Sequence, residues 1–229
     1  SLMAEQYPPA VDTVMLASLE SIGVAPGEPF DSSKVNFIQR RLLGLAIAIT
    51  QEKIAEQLAA DRATENGWSV IRSDIGSYGV NYSIRAAVSM IGLGALPPEE
   101  ASYPNAVADM NKQPLSGRSS YRIHFEPGQT PPVDAFWSLT LYDVQGFLVG
   151  NAIERYAIGD RDKLNFNADG SLDILIQKDA PSVSDANWLP APVGQFALTL
   201  RLYSPRAEFL SGSWQLPPVM LMQPPALLQ

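Results

Sequence analysis

The sequence contains no cysteine and only one histidine, His124, among its 229 residues. The lack of cysteine excludes disulfide bonds, thiolate metal sites and a cysteine nucleophile. One imidazole cannot supply a three-histidine zinc site within a single chain. The sequence also lacks a Walker loop, a dinucleotide-binding fingerprint and a Gly-x-Ser-x-Gly elbow. These absences predict neither a cofactor nor a bound metal.

Positive charge is scarce as well, since 16 lysines and arginines face 24 acidic residues and the net charge is −8. This balance argues against a nucleic-acid-binding protein, which needs clustered basic residues for phosphate contacts. No apolar run approaches the roughly 20 residues that span a bilayer, and the best candidate, Leu42–Ile49, is short and flanked by charge. The first five residues do not resemble a signal peptide. Hydrophobic residues make up 46% of the chain, which is ample for a folded core.

The first hundred residues have the hydrophobic periodicity of helices. Three helices are predicted: Val11–Ile22, a long helix from an N-cap at residues 31–33 to about Ala60, and Asn81–Met90. The second helix carries a single apolar stripe, formed by Val35, Ile38, Leu42, Leu45 and Ile49. A loop is predicted between the last two helices, because Gly76 and Gly79 interrupt residues 68–82.

From Tyr103 onward the apolar residues alternate with a period of two, which indicates strands. Strands are predicted near residues 103–109, 119–126, 135–143, 147–151, 163–168, 171–177 and 195–203. Short strands between turns rich in proline and glycine favour a sandwich or barrel. The proline-rich segment from Leu216 is predicted to run extended along the surface. The predicted domains are therefore a helical region at 1–99 and a β-sandwich at 100–229 with a proline-rich C-terminal tail.

The clearest strand follows the rigid turn at Pro131-Pro132, where each ring fixes φ and favours an extended chain. Side chains from residue 136 to residue 142 alternate between two faces. Phe136, Ser138, Thr140 and Tyr142 occupy one face, and Trp137, Leu139 and Leu141 occupy the other. This pattern predicts a strand of the sandwich core.

Polar residues on two strand faces are the candidate ligand-binding site. Arg122 and His124 share a face opposite apolar neighbours, and Arg201 and Tyr203 do so on another strand. If these strands were adjacent, the four side chains would meet in one pocket suited to an anionic or polyhydroxylated ligand. His124 and Tyr203 are the candidate catalytic groups within that set.

Each of these residues also has a plainer interpretation. The faces could be ordinary solvent-exposed strand surface, and the arginines could pair with Asp143, Glu154 or Asp173. Asn151 and Arg155 could join the pocket from an adjacent edge. Trp188, which lies next to prolines, could stack on a ligand ring or simply cover one end of the core.

The sequence Asn165-x-Asn167-x-Asp169-Gly170 imitates the start of a calcium loop. The closing bidentate glutamate is missing, because Ile176 occupies its position. An Asp-Gly pair tolerates the positive φ of a tight turn. The segment is therefore predicted to form a hairpin turn that binds no calcium.

Motifs spread over the last two thirds of the chain resemble those of one bacterial family, DUF1214. They are Tyr78-Gly79-Val80-Asn81-Tyr82, Arg85-Ala86, Gly92-Leu93-Gly94-Ala95, Pro114-Leu115-Ser116-Gly117, His124-Phe125, Phe136–Asp143, Asn151, Arg155-Tyr156, Asp169-Gly170-Ser171, Asn187–Pro192 and Arg201–Pro205. The resemblance implies a jelly-roll-like β-sandwich preceded by a helical segment. It also implies a bacterial protein that is exported or periplasmic, with a cytoplasmic one as the alternative, and a DUF1254 domain as the usual companion. It supplies no catalytic residue set.

The sequence as a whole predicts an α+β fold, in which a helical N-terminal region packs on a C-terminal antiparallel jelly-roll-like β-sandwich. The favoured function is binding of a small polar or carbohydrate-derived ligand on the sandwich. One alternative is a structural or assembly module that acts through its helices and tail, as a homo-oligomer or with a partner DUF1254 domain. Another is a hydrolase or lyase that uses His124 and a tyrosine.

Overall fold

The computed structural model describes residues 10–60, 63–92, 94–182, 184 and 187–222. The chain divides into two compact units, and each of them is discontinuous in sequence. Residues 1–60 and 77–94 form a helical unit, whereas residues 61–76 and 95–229 form a β unit.

The helical unit contains helices α1 (Thr13–Glu20), α2 (Phe37–Ala60) and α3 (Tyr82–Ile91), with short 3-10 turns at Ala10–Asp12 and Ser32–Lys34. The three predicted helices are therefore confirmed. The start of α2 differs from the prediction, because a reciprocal cap forms later in the chain. Asn36 Oδ1 accepts from the backbone N–H of Gln39, and Gln39 Oε1 accepts from that of Asn36, each at 2.9 Å. Asp31 instead caps the preceding 3-10 turn.

The apolar stripe of α2 is not buried. Val35, just before the helix, is buried at 6% exposure, but Ile38, Leu42 and Leu45 are 58–68% exposed. Phe37 and Ile47 are also exposed. Apolar side chains on an otherwise regular helix normally pack against another surface.

The β unit contains eleven short strands among the described residues, and α4 (Ala207–Leu210). The strands are β1 (Ala63–Glu65), β2 (Trp68–Val70), β3 (Ala101–Ser102), β4 (Asn105–Ala106), β5 (Tyr121–Phe125), β6 (Val133–Asp143), β7 (Ala157–Gly159), β8 (Leu172–Gln177), β9 (Trp188–Pro190), β10 (Phe196–Pro205) and β11 (Met220–Leu221). Seven strands form one sheet, in the order β1-β2-β4-β10-β6-β7 with β3 also on β10. The other sheet has the order β11-β5-β8-β9, and only its β8–β9 pair is parallel.

Alternating side chains from both sheets enter one hydrophobic core. Ile123 and Ile174 come from the four-stranded sheet, and Trp137, Leu139 and Leu200 come from the seven-stranded sheet; all are less than 4% exposed. The predicted core strand at 135–143 is confirmed. The fold is thus a mixed α+β fold with two antiparallel-rich sheets, and its jelly-roll connectivity stays a prediction.

The first two strands correct the loop predicted around residue 68. β1 and β2 form a hairpin, and β2 extends the large sheet by pairing with β4. Asn66 and Gly67 connect the two strands with φ angles of 51° and 89°. Asn-Gly is the strongest sequence signal for such a two-residue turn, and the periodicity of the preceding helix does not show it.

Two predicted strands, at 147–151 and 163–168, are wrong. Asp143 Oδ1 accepts from the backbone N–H groups of Gln145 and Phe147, and this side-chain cap holds a tight turn there. In the second segment, Asn165 is paired through its backbone with the side chain of Asn187. Side-chain partners therefore replace ladder hydrogen bonds in both places.

The C-terminal segment is extended, as predicted, but part of it is buried. Leu216 and Val219 are fully buried in the core. The side chains of Asn66 and Trp68 donate to the carbonyls of Leu216 and Pro217, each at 2.7 Å. The described part of this segment is therefore a structural component of the sandwich, and residues 223–229 lie outside the described residues.

No helix within the described ranges is long and apolar enough to cross a membrane.

Candidate functional site

The outer face of the four-stranded sheet carries a histidine–aspartate pair. The β5–β8 register places His124 directly opposite Asp173. His124 Nδ1 lies 2.7 Å from Asp173 Oδ1. An ionised carboxylate only accepts hydrogen bonds, so Nδ1 carries the proton and donates. The pair therefore fixes the orientation of the imidazole ring.

Further groups compensate the charge of Asp173. Arg122 Nε lies 3.7 Å from its Oδ1, and Asn167 Nδ2 donates to its Oδ2 at 3.0 Å. Burial raises the pKa of Asp173, but the hydrogen bonds from His124 and Asn167 and the charge of Arg122 outweigh burial and hold that pKa below its ordinary value. The interpretation of Arg122 as the partner of a structural carboxylate is confirmed.

The predicted tight turn at residues 167–170 supports the same network. Gly170 has a φ of 86°, and Asp169 Oδ1 accepts from both the backbone N–H and the hydroxyl of Ser171. The hydroxyl of Ser171 lies 2.9 Å from Asn167 Nδ2, the group that also reaches Asp173. The tight turn is confirmed, but no strand directly precedes it and β8 pairs with β5 and β9, so the predicted hairpin is wrong. The absence of calcium binding stays a prediction. Among the described residues, no three or more His, Asp or Glu side chains are grouped to hold a metal ion.

The outer face of the seven-stranded sheet holds a different kind of arginine. Arg201 Nη1 donates to Thr140 Oγ1 at 2.7 Å, and its Nη2 donates to the hydroxyl of Tyr142. Arg201 is half-buried and makes no ion pair with any carboxylate in the described part of the chain. A guanidinium has five N–H donors, so groups remain that could bind a further acceptor.

Aromatic rings lie on the same face of the sheet as this guanidinium, and the Tyr142 ring centroid is 5.4 Å from it. Tyr203 stacks on Phe136 with ring centroids 4.3 Å apart, and Tyr103 meets Tyr203 edge-on at 6.2 Å. Arg161 lies over the other ring of the stack, 4.1 Å from the centroid of Phe136. Burial and the neighbouring Tyr203 raise the pKa of Tyr103. Arg201 itself is half-buried, and a charge that is partly shielded from water interacts more strongly with an anion.

Small-molecule sites are clefts of about 300–1,000 Å³, and a cleft of 590 Å³ is lined by Tyr142, a hydrogen-bond partner of Arg201. Its lining also includes Asn105, Val107, Val144 and Thr199, and one carboxylate, Asp143, whose Oδ1 accepts from two backbone N–H groups. Tyr142 accepts a hydrogen bond from Arg201, and Thr199 precedes Arg201 by two residues on the same face of β10. The charged head of a ligand and its apolar body would therefore find neighbouring surfaces.

The predicted common pocket of Arg122, His124, Arg201 and Tyr203 is not formed. β5 and β10 belong to different sheets, and the apolar faces of both strands point into the shared core. Arg122 and His124 therefore face outward on one side of the sandwich, and Arg201 and Tyr203 face outward on the other. The geometry gives no support to catalysis by His124 together with Tyr203.

The remaining predicted site residues stabilise the backbone around them. Asn151 Oδ1 accepts from the N–H of Arg155 at 3.1 Å, and its amide donates to the Arg155 carbonyl. Arg155 Nη1 donates to the carbonyl of Trp188 at 2.8 Å. Trp188 is 8% exposed, and its indole N–H donates to the carbonyl of Gln177. Trp188 thus covers the core, which is the plainer of its two interpretations. A ligand-binding role of Asn151, Arg155 and Trp188 stays a prediction.

Sequence reasoning missed Thr140 and Tyr142 as partners of Arg201. The signal was present, because both residues had been assigned to the same strand face. The missing information was the pairing of β6 with β10, which places Ser138 opposite Arg201 and Thr140 opposite Thr199.

Two other clefts of the β unit are more polar. One, of 440 Å³, lies beside Asp173 and is lined by asparagines and serines. The other, of 480 Å³, is lined by Trp214, Asp160, Glu208 and Arg206. Arg206 is already paired with Asp134 at 2.6 Å. Asp173 in the first cleft and Arg206 in the second therefore already have charged partners within the protein.

The fold and these surfaces define a mixed α+β protein. On one of its sheets, the half-buried Arg201 has no carboxylate partner among the described residues. Residues 100–207 match the family DUF1214, described as a protein of unknown function. The resemblance deduced from the sequence motifs is thereby confirmed.

Two solved structures are similar to this chain. The VPA0106 protein from Vibrio parahaemolyticus is 27% identical, with a TM-score of 0.68 over 93% of this chain and 51% of that protein. An uncharacterised protein from Burkholderia cenocepacia is 15% identical, with a TM-score of 0.41 over 87% of this chain and 46% of that protein. This chain thus spans about half the length of either solved protein. No curated protein matches it significantly.

Proposed function

We propose that the β unit is a binding module for a small carboxylate-bearing molecule, such as an acidic sugar, on the outer face of its seven-stranded sheet. The single observation that carries the proposal is the environment of Arg201. Its guanidinium is half-buried and held by the hydroxyls of Thr140 and Tyr142, with no carboxylate partner among the described residues. A carboxylate ligand would supply the missing charge.

The surroundings of Arg201 favour this ligand class over a bare anion. The adjoining cleft has apolar side chains such as Val107 and Val144 and polar groups such as Asn105 and Thr199. Thr199 Oγ1 donates to Asn105 Oδ1 at 2.7 Å, and the Asn105 amide donates one N–H to the Tyr103 carbonyl at 2.7 Å, so its second N–H remains able to donate. An apolar or sugar-like body with one carboxylate would match both parts of this surface.

The test compares acidic and neutral ligands of the same shape. Calorimetric titrations with glucuronate and glucose, and with benzoate and benzyl alcohol, should show binding of at least one acid and weaker binding of its neutral analogue. Arg201→Gln should weaken that binding by about tenfold to a hundredfold, because a charge-assisted bidentate contact is lost. Arg122→Gln is the matched control, since Arg122 lies on the other sheet with its own carboxylate, and it should bind like the wild type.

Two results would contradict the proposal. One is a wild-type protein that binds neither acid, and the other is an Arg201→Gln variant that binds as well as the wild type. Equal losses in Arg201→Gln and Arg122→Gln would show that the net charge of the protein, and not this site, governs binding.

A second candidate function is self-association through α2, and the exposure of its apolar side chains favours it. Phe37, Ile38 and Ile47 are 62–73% exposed. A helix of 24 residues is about 36 Å long, which is long enough for an antiparallel pairing with a second copy of the chain. Such a two-fold pairing is the commonest form of assembly.

Sedimentation velocity tests the self-association. The wild type should sediment as a dimer, and Ile38→Glu/Leu45→Glu should sediment as a monomer with an unchanged circular dichroism spectrum. Arg40→Glu is the control for added negative charge on the same helix. A monomeric wild type would exclude the homodimer and leave a different partner chain, such as the predicted DUF1254 domain, to cover the helix.

A further inference from the structure

The helical unit has a groove of its own, of 350 Å³, between α3 and residues 12–26, which include α1. Its lining is largely apolar and includes Met15, Leu16, Leu19 and Val24. Asp12 is the exception, because its side chain is only 4% exposed and yet lines this groove. Clefts of about 300–1,000 Å³ with an apolar lining and a few converging polar groups are the usual form of small-molecule sites.

One oxygen of the Asp12 carboxylate is paired with Arg85. Arg85 Nη1 donates to Oδ2 at 2.7 Å. Hydrogen bonding to Arg85 holds the pKa of Asp12 below its ordinary value, although burial opposes that shift, so the group remains an ionised acceptor. The hydroxyl of Tyr82 also interacts with this carboxylate. Burial and this hydrogen bond to Asp12 raise the pKa of Tyr82.

The other oxygen, Oδ1, is buried and has no hydrogen-bond partner among the described residues. Buried polar atoms are almost always satisfied, and an unsatisfied atom of an ionised group is especially unfavourable. An unsatisfied acceptor in the lining of an apolar groove indicates a donor that is supplied from outside the described residues.

We propose that this groove binds a small apolar molecule that bears one neutral hydrogen-bond donor, an alcohol or an amide, which donates to Asp12 Oδ1. The donor is neutral because Arg85 already compensates the carboxylate, so a cationic head would meet the guanidinium. A carboxylate head would meet the charge of Asp12 and has no proton to donate. The site is independent of Arg201 and of the function proposed for the β unit.

The probe is 1-hexanol, titrated into the full chain and followed by amide chemical shifts in nuclear magnetic resonance spectra. Hexanoate, with the same number of carbons, is the matched negative probe. Saturable shifts confined to α1 and α3 are expected with hexanol, and binding of hexanoate should be weaker by about tenfold.

Two variants locate the binding. Ala86 lines the groove, so Ala86→Leu fills it and should weaken hexanol binding by at least about tenfold. Ala46→Leu adds the same side chain to an exposed position of α2 and should change nothing. Asp12→Asn, which alters the acceptor itself, should also weaken hexanol binding if it folds, and Ala86→Leu decides the question if it does not. The proposal is overturned if hexanol gives no saturable shifts, if hexanol and hexanoate bind alike, or if Ala86→Leu binds hexanol like the wild type.

Discussion

The two outer faces of the β unit each present an arginine, and they use it in opposite ways. On the four-stranded sheet, Arg122 lies beside Asp173, which also holds His124. On the seven-stranded sheet, Arg201 is held by the hydroxyls of Thr140 and Tyr142. The arginine of the first face has a carboxylate partner, whereas that of the second has hydroxyl partners and no carboxylate among the described residues.

The neighbouring strand decides the difference. β8 places an aspartate opposite β5, so the register of the sheet brings Asp173 against His124. β6 offers hydroxyls and rings to β10 beside Arg201, and its two acids lie at its ends: Asp143 is opposite Phe196, and Asp134 pairs with Arg206. An arginine on a polar strand face is thus no indication of a ligand by itself, and the residues across the ladder determine its role.

The largest expected effect distinguishes the two faces of β6. Trp137 is 3% exposed and packs on Phe125, whereas Phe136 lies on the outer face against Tyr203. Trp137→Ala should lower the free energy of unfolding by about 3–5 kcal/mol, and Phe136→Ala by about 1 kcal/mol. Urea denaturation measures both values. Equal losses would mean that the outer aromatic surface is as important to stability as the core.

The next effect tests the compensated face. Asp173→Asn should cost about 1.5 kcal/mol near pH 6, because His124 and Arg122 lose a charged partner that is itself only 26% exposed. The folded pKa of Asp173 is lowered, so its contribution is present above the unfolded pKa of about 3.9 and is lost as the pH falls through the folded pKa. The difference between wild type and variant should therefore shrink below about pH 4. A difference that is the same at pH 5 and pH 2.5 would refute the assignment.

A smaller effect is expected on the uncompensated face. Thr140 is 6% exposed, and its hydroxyl accepts from Arg201. Thr140→Val keeps the shape of the side chain and should cost about 1 kcal/mol. Thr140→Ser, which retains the hydroxyl, is the matched control for the hydrogen bond. Thermal denaturation in which valine and serine behave alike would show that this hydrogen bond does not stabilise the sheet.

The smallest effect concerns a third arginine, which is paired but exposed. Arg206 and Asp134 are 53% and 69% exposed and lie 2.6 Å apart. Asp134→Asn should change stability by less than about 0.5 kcal/mol, because water and salt screen such pairs. A loss as large as that of Asp173→Asn would remove burial as the reason why the two carboxylates differ.

Local patterns were sufficient to predict most of the architecture. Hydrophobic periodicity located α1 and α3, and the alternation from Phe136 to Tyr142 identified both faces of β6. Strands of two or three residues escaped, because β7, β9 and β11 are too short to show a period. Their existence depends on partners that are distant in sequence.

The sequence predicted which candidate-site residues face outward, but not which of them lie on the same sheet. Strand parity identified Arg122, His124, Arg201 and Tyr203 as outward-facing residues, and that is where they lie. Parity does not tell which strands are neighbours, so four outward residues were placed in one pocket when they belong to two sheets. The charge pattern alone also does not show that Asp173 pairs with His124, or that Arg201 has only hydroxyl partners among the described residues.

The buried C-terminal segment has a consequence for how the chain folds during synthesis. Asn66 and Leu216 are joined by a hydrogen bond across 150 positions of sequence, and β11 completes the edge of the four-stranded sheet. Ribosomes add about 5–20 residues per second, so the β1–β2 hairpin waits on the order of ten seconds for this partner. Until then the core lacks Leu216 and Val219, and the nascent chain exposes apolar strand surface that a chaperone could occupy.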